Sequence, residues 1–231
     1  MNYDTILHSI KRNIREALLG PAGHPELIVN QEKQYAYLVN SKAACTSIKK
    51  AIINDLGYSI EDGENPHHFN FKNGERVFES NNLKGYKIFT VVREPIKRIE
   101  SLYLNKFKQF DVIEAQGFYY QGYLGNKFPL NLSYEDFVKI VCDIPDYYAD
   151  RHFVSQTYLI DKAKKMFNTP IDFYQLEDAQ SFDTLRNEFD LIINSNSNRS
   201  DKTLDKSSLA DFSSQLTDRY KQDFVRLGYS I

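Results

Sequence analysis

The chain has 231 residues, of which 42% are hydrophobic and 26% are charged, and this composition is ordinary for a soluble globular protein. Lys and Arg number 29 against 31 Asp and Glu, so the formal net charge is −2. That charge supplies no global field toward nucleic acids or acidic membranes, and any bound anion must be held by local geometry. The length predicts a single α/β domain over residues 1–231 rather than two domains.

The N-terminal segment and the two cysteines exclude further classes. Segment 3–19 places Ile or Leu at every fourth position with charges between them, which predicts an amphipathic helix without a signal peptide. Residues 1–30 are therefore expected to form an N-terminal helix and a lead-in to the domain. Two cysteines, Cys45 and Cys142, are too few for a disulfide framework, and neither has a metal ligand at short spacing. We expect a cytoplasmic protein that binds no metal and has no integral membrane segment.

Strands and helices alternate along the chain. Three short runs rich in β-branched and aromatic residues predict strands at 35–39, 87–92 and 171–175. Helical spacing and capping residues predict helices from about 45 to 56, from Pro95 onward, from 133 to 142 and from about 208 to 227. This alternation predicts an α/β fold with a P-loop-like parallel sheet and helices on both faces.

Segment 111–131 has no periodic pattern and contains several Gly and Tyr residues, so it is predicted to be an irregular loop. Two interpretations remain open for this loop. It could be a lid or acceptor surface, or it could be a solvated insertion.

The loop at 40–47, between the first strand and its helix, has the features of a phosphate cradle. Backbone N–H groups at a helix N-terminus attract anions, and Lys42 adds a full positive charge. Ala43 and Ala44 are small enough for a ligand to approach the backbone. The glycines of a GxxxxGK[ST] motif are missing, which argues against a standard nucleoside triphosphatase.

Hydroxyl and thiol groups of the same loop allow more than one role. Thr46 and Ser47 could donate hydrogen bonds to phosphate oxygens, or one of them could simply cap the helix. A phosphatase would need an arginine six residues after Cys45, but Ala51 occupies that position. Cys45 is therefore predicted to be a small buried residue.

A second polar loop follows the second strand. Arg93 comes directly after that strand, Pro95 begins a helix, and Ser101 follows within the helix. In parallel sheets, ligands bind beyond the carboxyl ends of the strands, and a guanidinium group suits phosphate. Arg93 taken alone could equally form a structural salt bridge.

Together the two loops resemble the signatures of carbohydrate sulfotransferases, the family that includes chondroitin, dermatan and heparan 2-O sulfotransferases. Residues 41–47 read SKAACTS where that family has PK-x-A-x-T, and residues 92–103 read VREPIKRIESLY where it has VRDP-x-x-R-x-x-S-x-Y. Weaker similarities occur at 151–156, 173–178 and 220–229. The departures are mild: Ser41 stands for Pro and Glu94 for Asp.

The resemblance implies that the donor is 3′-phosphoadenosine 5′-phosphosulfate (PAPS), with 3′,5′-adenosine bisphosphate as product. It implies that Arg93 and Ser101 hold the 3′-phosphate and that Lys42 neutralises charge on the bridging oxygen during an in-line displacement. The expected contacts to the 5′-phosphosulfate are Lys42, Ala43, Ala44, Cys45, Thr46 and Ser47. Arg199, in an Asn/Ser-rich segment at 194–203, is either a further phosphate contact or part of a flexible turn.

A general base must accept the proton of the acceptor hydroxyl. By resemblance the first candidate is His68 and the second is His67, although both could be surface histidines. His152 is either an acceptor contact or a structural hydrogen bonder. The resemblance implies a carbohydrate hydroxyl as acceptor. An ATP-dependent P-loop-like kinase and a non-catalytic nucleotide-binding module are the alternatives.

Overall fold

The computed structural model describes residues 25–61, 64–72, 74–78, 83–107, 128, 132–193 and 206–231, with the backbone alone described at 206–211. The predicted N-terminal helix, the loop at 111–131 apart from Phe128, and Arg199 lie outside these residues.

A five-stranded sheet forms the centre of the described part of the chain. The strands are β1 (Leu27–Asn30), β2 (Tyr35–Leu38), β3 (Arg76–Val77), β4 (Lys87–Val92) and β5 (Ile171–Gln175). Their order across the sheet is β3-β1-β2-β4-β5, and β2, β4 and β5 run parallel. The three predicted strands and the α/β class are confirmed. The sheet as a whole is mixed, because β1 pairs antiparallel with both β2 and β3.

Seven α-helices accompany this sheet within the described residues. They are α1 (Cys45–Asp55), α2 (Pro95–Lys106), α3 (Tyr134–Asp143), α4 (Gln156–Phe167), α5 (Ala179–Phe189), α6 (Lys206–Arg219) and α7 (Lys221–Leu227), and a 3-10 turn covers Pro66–His68. Local chemistry explains several ends. Ser133 caps α3 by accepting from the N–H of Asp136, and Glu94 caps α2 by accepting from the N–H groups of Ile96 and Lys97.

Helices cover both faces of the sheet, as predicted, because alternate strand residues point to opposite sides. Tyr35 and Tyr37 of β2 pack toward α1 and α5, in a cluster that includes Phe89. Ala36 and Leu38 face the larger cluster formed with α2, α3, α4, α6 and α7. Each large apolar side chain buried in this way contributes roughly 1.5–3 kcal/mol to stability. The two cores fix the strand ends in place.

Two sequence predictions need correction. The predicted all-parallel sheet missed the antiparallel strands β1 and β3, which are only four and two residues long. The predicted helix from 208 to 227 is interrupted at Tyr220, whose buried hydroxyl donates to the carbonyl of Phe153 at 2.6 Å. Leu216, Tyr220, Phe224 and Leu227 keep a helical spacing across this break, so periodicity could not reveal it.

Candidate functional site

The parallel pairing of β2 with β4 brings the two polar loops together. Both strands end at the same edge of the sheet, and the loops that follow them are therefore neighbours. Nη1 of Arg93 donates to the carbonyl oxygen of Lys42 at 3.2 Å. The predicted phosphate cradle and the predicted arginine loop thus form one continuous site.

The loop after β2 takes a backbone shape that usually favours glycine. Lys42 and Ala44 have φ values of 66° and 56°, both in the left-handed region. Ala44 is the N-cap of α1, and no side chain caps that helix. The alternative in which Thr46 or Ser47 acts as the cap is therefore wrong. The loop forms a tight turn without the Walker glycines, and Lys42 and Ala44 bear the steric cost of their left-handed conformations.

Lys42 is held by a neutral partner. Its Nζ donates to Oδ1 of Asn105, in the last turn of α2, at 2.8 Å. Burial lowers the pKa of the Lys42 amine to about 8, and the positive charges of Arg93 and Arg98 add to this effect. The amine is still mostly protonated at pH 7. Lys42 therefore carries a charge that its hydrogen-bond partner does not neutralise.

Arg98 fixes the underside of the same loop. The residue is 1% exposed, and its guanidinium donates to the carbonyl oxygens of Ser41 at 2.9 Å, Val154 at 2.8 Å and Arg151 at 3.2 Å. Burial lowers the pKa of Arg98, but an arginine retains its charge in proteins. Arg98 thus ties the loop to the turn before α4 and places a second cation beneath it. Sequence reasoning gave it no role, although it lies within the second motif.

Arg93 has donor capacity left over in this structure. Its Nε is buried, makes no hydrogen bond and lies 3.7 Å from Oε1 of Glu177. The Arg93 side chain is 27% exposed. Ser101, half-buried, lies on α2 together with Asn105. A buried N–H without a partner costs free energy, and an incoming anion could satisfy it.

The structure separates the two adjacent histidines. Nε2 of His67 lies 3.1 Å from Oγ1 of Thr46 in the first loop, whereas His68 is exposed. Burial is the main reason why the pKa of His67 falls to about 4, and the nearby charge of Lys49 lowers it further. His67 is therefore neutral at physiological pH. The second-ranked candidate base, rather than the first, contacts the loop.

His152 belongs to a buried pair with Asp150. The imidazole Nδ1 and the backbone N–H of His152 both donate to Oδ1 of Asp150, the latter at 2.8 Å. Burial lowers the pKa of His152 despite the carboxylate, and the positive charges of Arg151 and Lys42 lower it further. In this structure His152 is a structural hydrogen bonder.

A buried carboxylate beside the site is surrounded by cations. Glu26 is 4% exposed and forms ion pairs with Lys49 at 2.8 Å, Arg76 at 3.1 Å and Arg151 at 3.1 Å. Burial alone would raise the pKa of Glu26, but these cations hold it below its ordinary value. Three cations are thus gathered around one carboxylate on this flank of the site.

A surface hollow of about 280 Å³ lies at the opposite edge of the sheet, before the strands begin. Its lining residues are Lys33, Gln34, Tyr35, Lys87, Glu188, Phe189 and Asp190. The cations there are paired with carboxylates, Lys33 with Asp55 at 2.5 Å and Lys87 with Glu188 at 2.9 Å. This hollow lacks the helix N-terminus and the arginine loop, so we place the functional site at the carboxyl edge instead.

The sheet order and a cationic loop at its carboxyl edge define a P-loop-like α/β protein. The family model described as the sulfotransferase family matches residues 25–230, and the chain belongs to that family. No curated protein and no solved structure matches the chain. The expected sulfotransferase assignment is confirmed at this level.

Two further observations concern the described residues alone. Among them, no three His, Cys, Asp or Glu side chains are grouped so that they could hold a metal ion. None of the helices in this part of the chain has the length and apolar character needed to cross a lipid bilayer.

Proposed function

We propose that this protein transfers the sulfuryl group of PAPS to a hydroxyl of a carbohydrate acceptor. The observation that carries the proposal is the 3.2 Å hydrogen bond from Arg93 to the Lys42 carbonyl, which joins the two motif loops into one site. Membership in the sulfotransferase family supports the reaction class. A cytoplasmic location stays a prediction.

The residues present fit a donor that carries two separate anionic groups. The uncapped N-terminus of α1 and the amine of Lys42 suit the 5′-phosphosulfate. Arg93, with its unpaired Nε, and Ser101 on α2 suit the 3′-phosphate. The two groups of residues thus lie on different elements, which offers one anion-binding position for each anionic group of PAPS.

Lys42 has the properties needed to stabilise the departing product. PAPS supplies the sulfuryl group, and its phosphate oxygen gains negative charge as the S–O bond breaks. The Lys42 ammonium, held by the neutral amide of Asn105, is available to neutralise that charge. A preorganised cation in a partly buried site is worth more than one in water.

We propose His67 as the residue that accepts the proton from the acceptor hydroxyl. Its ring contacts Thr46 in the first loop, and its pKa of about 4 keeps it unprotonated at pH 7. His152, fixed by Asp150, is assigned to acceptor binding. Exposed His68 is assigned no catalytic role.

The carbohydrate acceptor rests chiefly on the motif resemblance. An exposed aromatic pair adds to it: Tyr147 and Tyr148 are 59% and 54% exposed and pack edge to face. They lie on the turn just before Asp150 and His152. Rings with an apolar face and a polar hydroxyl are suited to stacking on sugars.

Ligand binding tests the donor. Calorimetric titration is expected to show tighter binding of 3′,5′-adenosine bisphosphate than of ATP with magnesium. A preference for ATP would refute the proposal in favour of a kinase. Radiolabelled sulfate transfer onto a panel of glycans and small alcohols tests turnover, and binding without transfer to any of them would indicate a non-catalytic module.

Paired histidine variants test the base. His67→Ala is expected to lower kcat by about 100-fold or more, in the range of a lost general base, while His68→Ala changes it less than about threefold. His68→Ala is the matched control because the residue is adjacent and exposed. The reverse ranking would show that the assignment to His67 is wrong.

A further inference from the structure

We infer that Gln156 is a positioning residue that fixes the distance between two loops, so that one ligand engages both at once. These loops, the loop at 40–47 after β2 and the loop at 93–94 after β4, are the proposed binding loops for PAPS and are called the donor loops. This inference rests on the proposed function. It assigns a role to a residue that lies outside both loop motifs in the sequence. Gln156 is the first residue of α4, far along the chain from both loops.

The side chain of Gln156 lies between the loops and hydrogen-bonds to each. Its Oε1 accepts from Nδ2 of Asn40, in the loop after β2, at 2.9 Å. The same oxygen accepts from the backbone N–H of Arg93 at 2.9 Å, and Nε2 donates to the carbonyl of Arg93 at 2.7 Å. Gln156 is 0% exposed and Asn40 is 1% exposed. These hydrogen bonds are therefore made away from competing water, where an unpaired partner is costly.

The carboxamide of Gln156 has the donor and the acceptor that the two loops require. They need one oxygen that accepts twice and one nitrogen that donates to Arg93. Asn40 extends the connection, because its Nδ2 also donates to the carbonyl of Val91 at the end of β4. The side-chain amides thus connect the loops in addition to the hydrogen bond from Arg93 to the Lys42 carbonyl.

The backbone of Gln156 is itself anchored. Its N–H donates to Oδ2 of Asp223 at 2.8 Å, and the N–H and hydroxyl of Thr157 donate to Oδ1 of Asp223 at 2.8 and 2.6 Å. Asp223 belongs to α7 and is 0% exposed. The buried carboxylate lies at the N-terminus of α4, where a negative charge interacts favourably with the helix dipole, and it holds Gln156 in one position.

Rigid spacing has a specific thermodynamic consequence. When two anion sites are held at the distance of two phosphates on one ligand, the second contact forms without a further loss of freedom. The bisphosphate then binds more tightly than either monophosphate alone would suggest. If the spacing becomes variable, this advantage shrinks while each single contact survives.

The test compares three ligands on one variant. Gln156→Met keeps the volume and removes the amide. We expect affinity for 3′,5′-adenosine bisphosphate to fall at least tenfold, while affinities for 5′-AMP and 3′-AMP each change less than about threefold. Thr90→Val is the matched control, because Thr90 is 0% exposed and its hydroxyl bonds the Leu38 carbonyl between the same two strands. It should lower stability and leave the ratio of affinities unchanged.

Gln156→Glu provides a readout that a general loss of stability would not move. An ionised glutamate cannot donate to the carbonyl of Arg93, whereas a protonated one can. The advantage of the bisphosphate over the monophosphates should be reduced at pH 8 and partly restored at pH 5.5, relative to wild type at each pH. This variant also serves if Gln156→Met fails to fold.

The outcomes separate the two proposals. Equal losses for all three ligands, or an unchanged ratio, would overturn the positioning role. A pH-independent ratio in Gln156→Glu would overturn it as well. If wild type itself binds the bisphosphate no better than the monophosphates, the proposed function fails first.

Discussion

Both edges of the sheet carry lysines, but the lysines at the two edges have different hydrogen-bond partners. At the amino edge, Lys33 and Lys87 form ion pairs with Asp55 and Glu188. At the carboxyl edge, Lys42 donates to the side-chain amide oxygen of Asn105 at 2.8 Å. Buried Arg98 donates to three backbone carbonyl oxygens at 2.8–3.2 Å.

The difference teaches how a nearly neutral protein can hold an anion. A cation paired with a carboxylate has little field left for a ligand, whereas a cation held by neutral dipoles keeps its charge. At the carboxyl edge, Lys42 and Arg98 are held by neutral acceptors and keep their positive charge, although the chain has a net charge of −2. The surface hollow of about 280 Å³ lies at the other, paired edge, away from the two motif loops.

The largest expected effect comes from removing the unpaired cation. Lys42→Ala should reduce kcat at least 100-fold, since it removes a contact that stabilises charge in the transition state. Lys87→Ala, at the paired edge, should leave kcat within about twofold. Steady-state sulfate transfer measures both. A loss below tenfold for Lys42→Ala would refute its catalytic role, and a large loss for Lys87→Ala would remove the contrast between the edges.

Arg93→Ala should weaken binding of 3′,5′-adenosine bisphosphate by roughly 10- to 100-fold, the range of lost hydrogen bonds to a charged group. Affinity for 5′-AMP, which lacks the 3′-phosphate, should change little. Arg93→Lys should recover only part of the loss, because an ammonium cannot form the forked contact. Equal weakening for both nucleotides in a calorimetric titration would show that Arg93 does not select the 3′-phosphate.

The unusual pKa of Lys42 predicts a pH dependence for donor binding. Burial lowers this pKa to about 8, so the free protein loses the positive charge as the pH rises through 8. A bound anion favours the charged form, and binding above pH 8 should therefore take up a proton and become about tenfold weaker by pH 9. Lys42→Arg should remove this step, since arginine stays charged. Titrations in buffers of different ionisation enthalpy measure the proton uptake, and a wild-type affinity that is flat from pH 7 to 9 would contradict the prediction.

The smallest effect concerns backbone conformation. Ala44 and Gln34 both have positive φ, 56° and 52°, at opposite edges. A left-handed residue other than glycine costs roughly 1–2 kcal/mol, and glycine returns about 0.5–1 kcal/mol of that through the entropy of the unfolded chain. Ala44→Gly and Gln34→Gly should each change the free energy of unfolding by between about 0 and +1.5 kcal/mol.

Activity should distinguish these two positions. Ala44→Val places a β-branched residue in the left-handed region of the donor loop and should reduce both stability and sulfate transfer. Gln34→Val should reduce stability without changing kcat. Chemical denaturation and transfer assays measure the pair, and equal effects on kcat would indicate that the shape of the donor loop is unimportant.

Much of the fold could be predicted from the sequence because the patterns that indicate strands and helix ends are local. Compact β-prone runs predicted β2, β4 and β5, and the residues Ser133 and Pro95 predicted helix starts. The spacing of Leu159, Ile160, Ala163 and Phe167 also held a helical signal for α4, which had not been assigned. Strand β3, with two residues, offered too little pattern to detect.

The site was predictable only where the motifs were contiguous. Lys42 and Arg93 lie in recognisable segments, and the structure joins them. Gln156 could not be found in this way, because its partners Asn40 and Arg93 are 116 and 63 residues distant. The choice between His67 and His68 depended on side-chain direction within a 3-10 turn, which adjacent positions do not reveal.

The contacts of the buried Asp223 carboxylate affect when the two motif loops are connected during synthesis. It anchors the start of α4, and through Gln156 both donor loops, from a position near residue 231. Synthesis proceeds from the N-terminus, so the connection of both motif loops to α7 through Gln156 forms only after α7 has left the ribosome. Translation that stops before α7 would therefore yield a chain that contains both motifs but lacks the part that holds them in register.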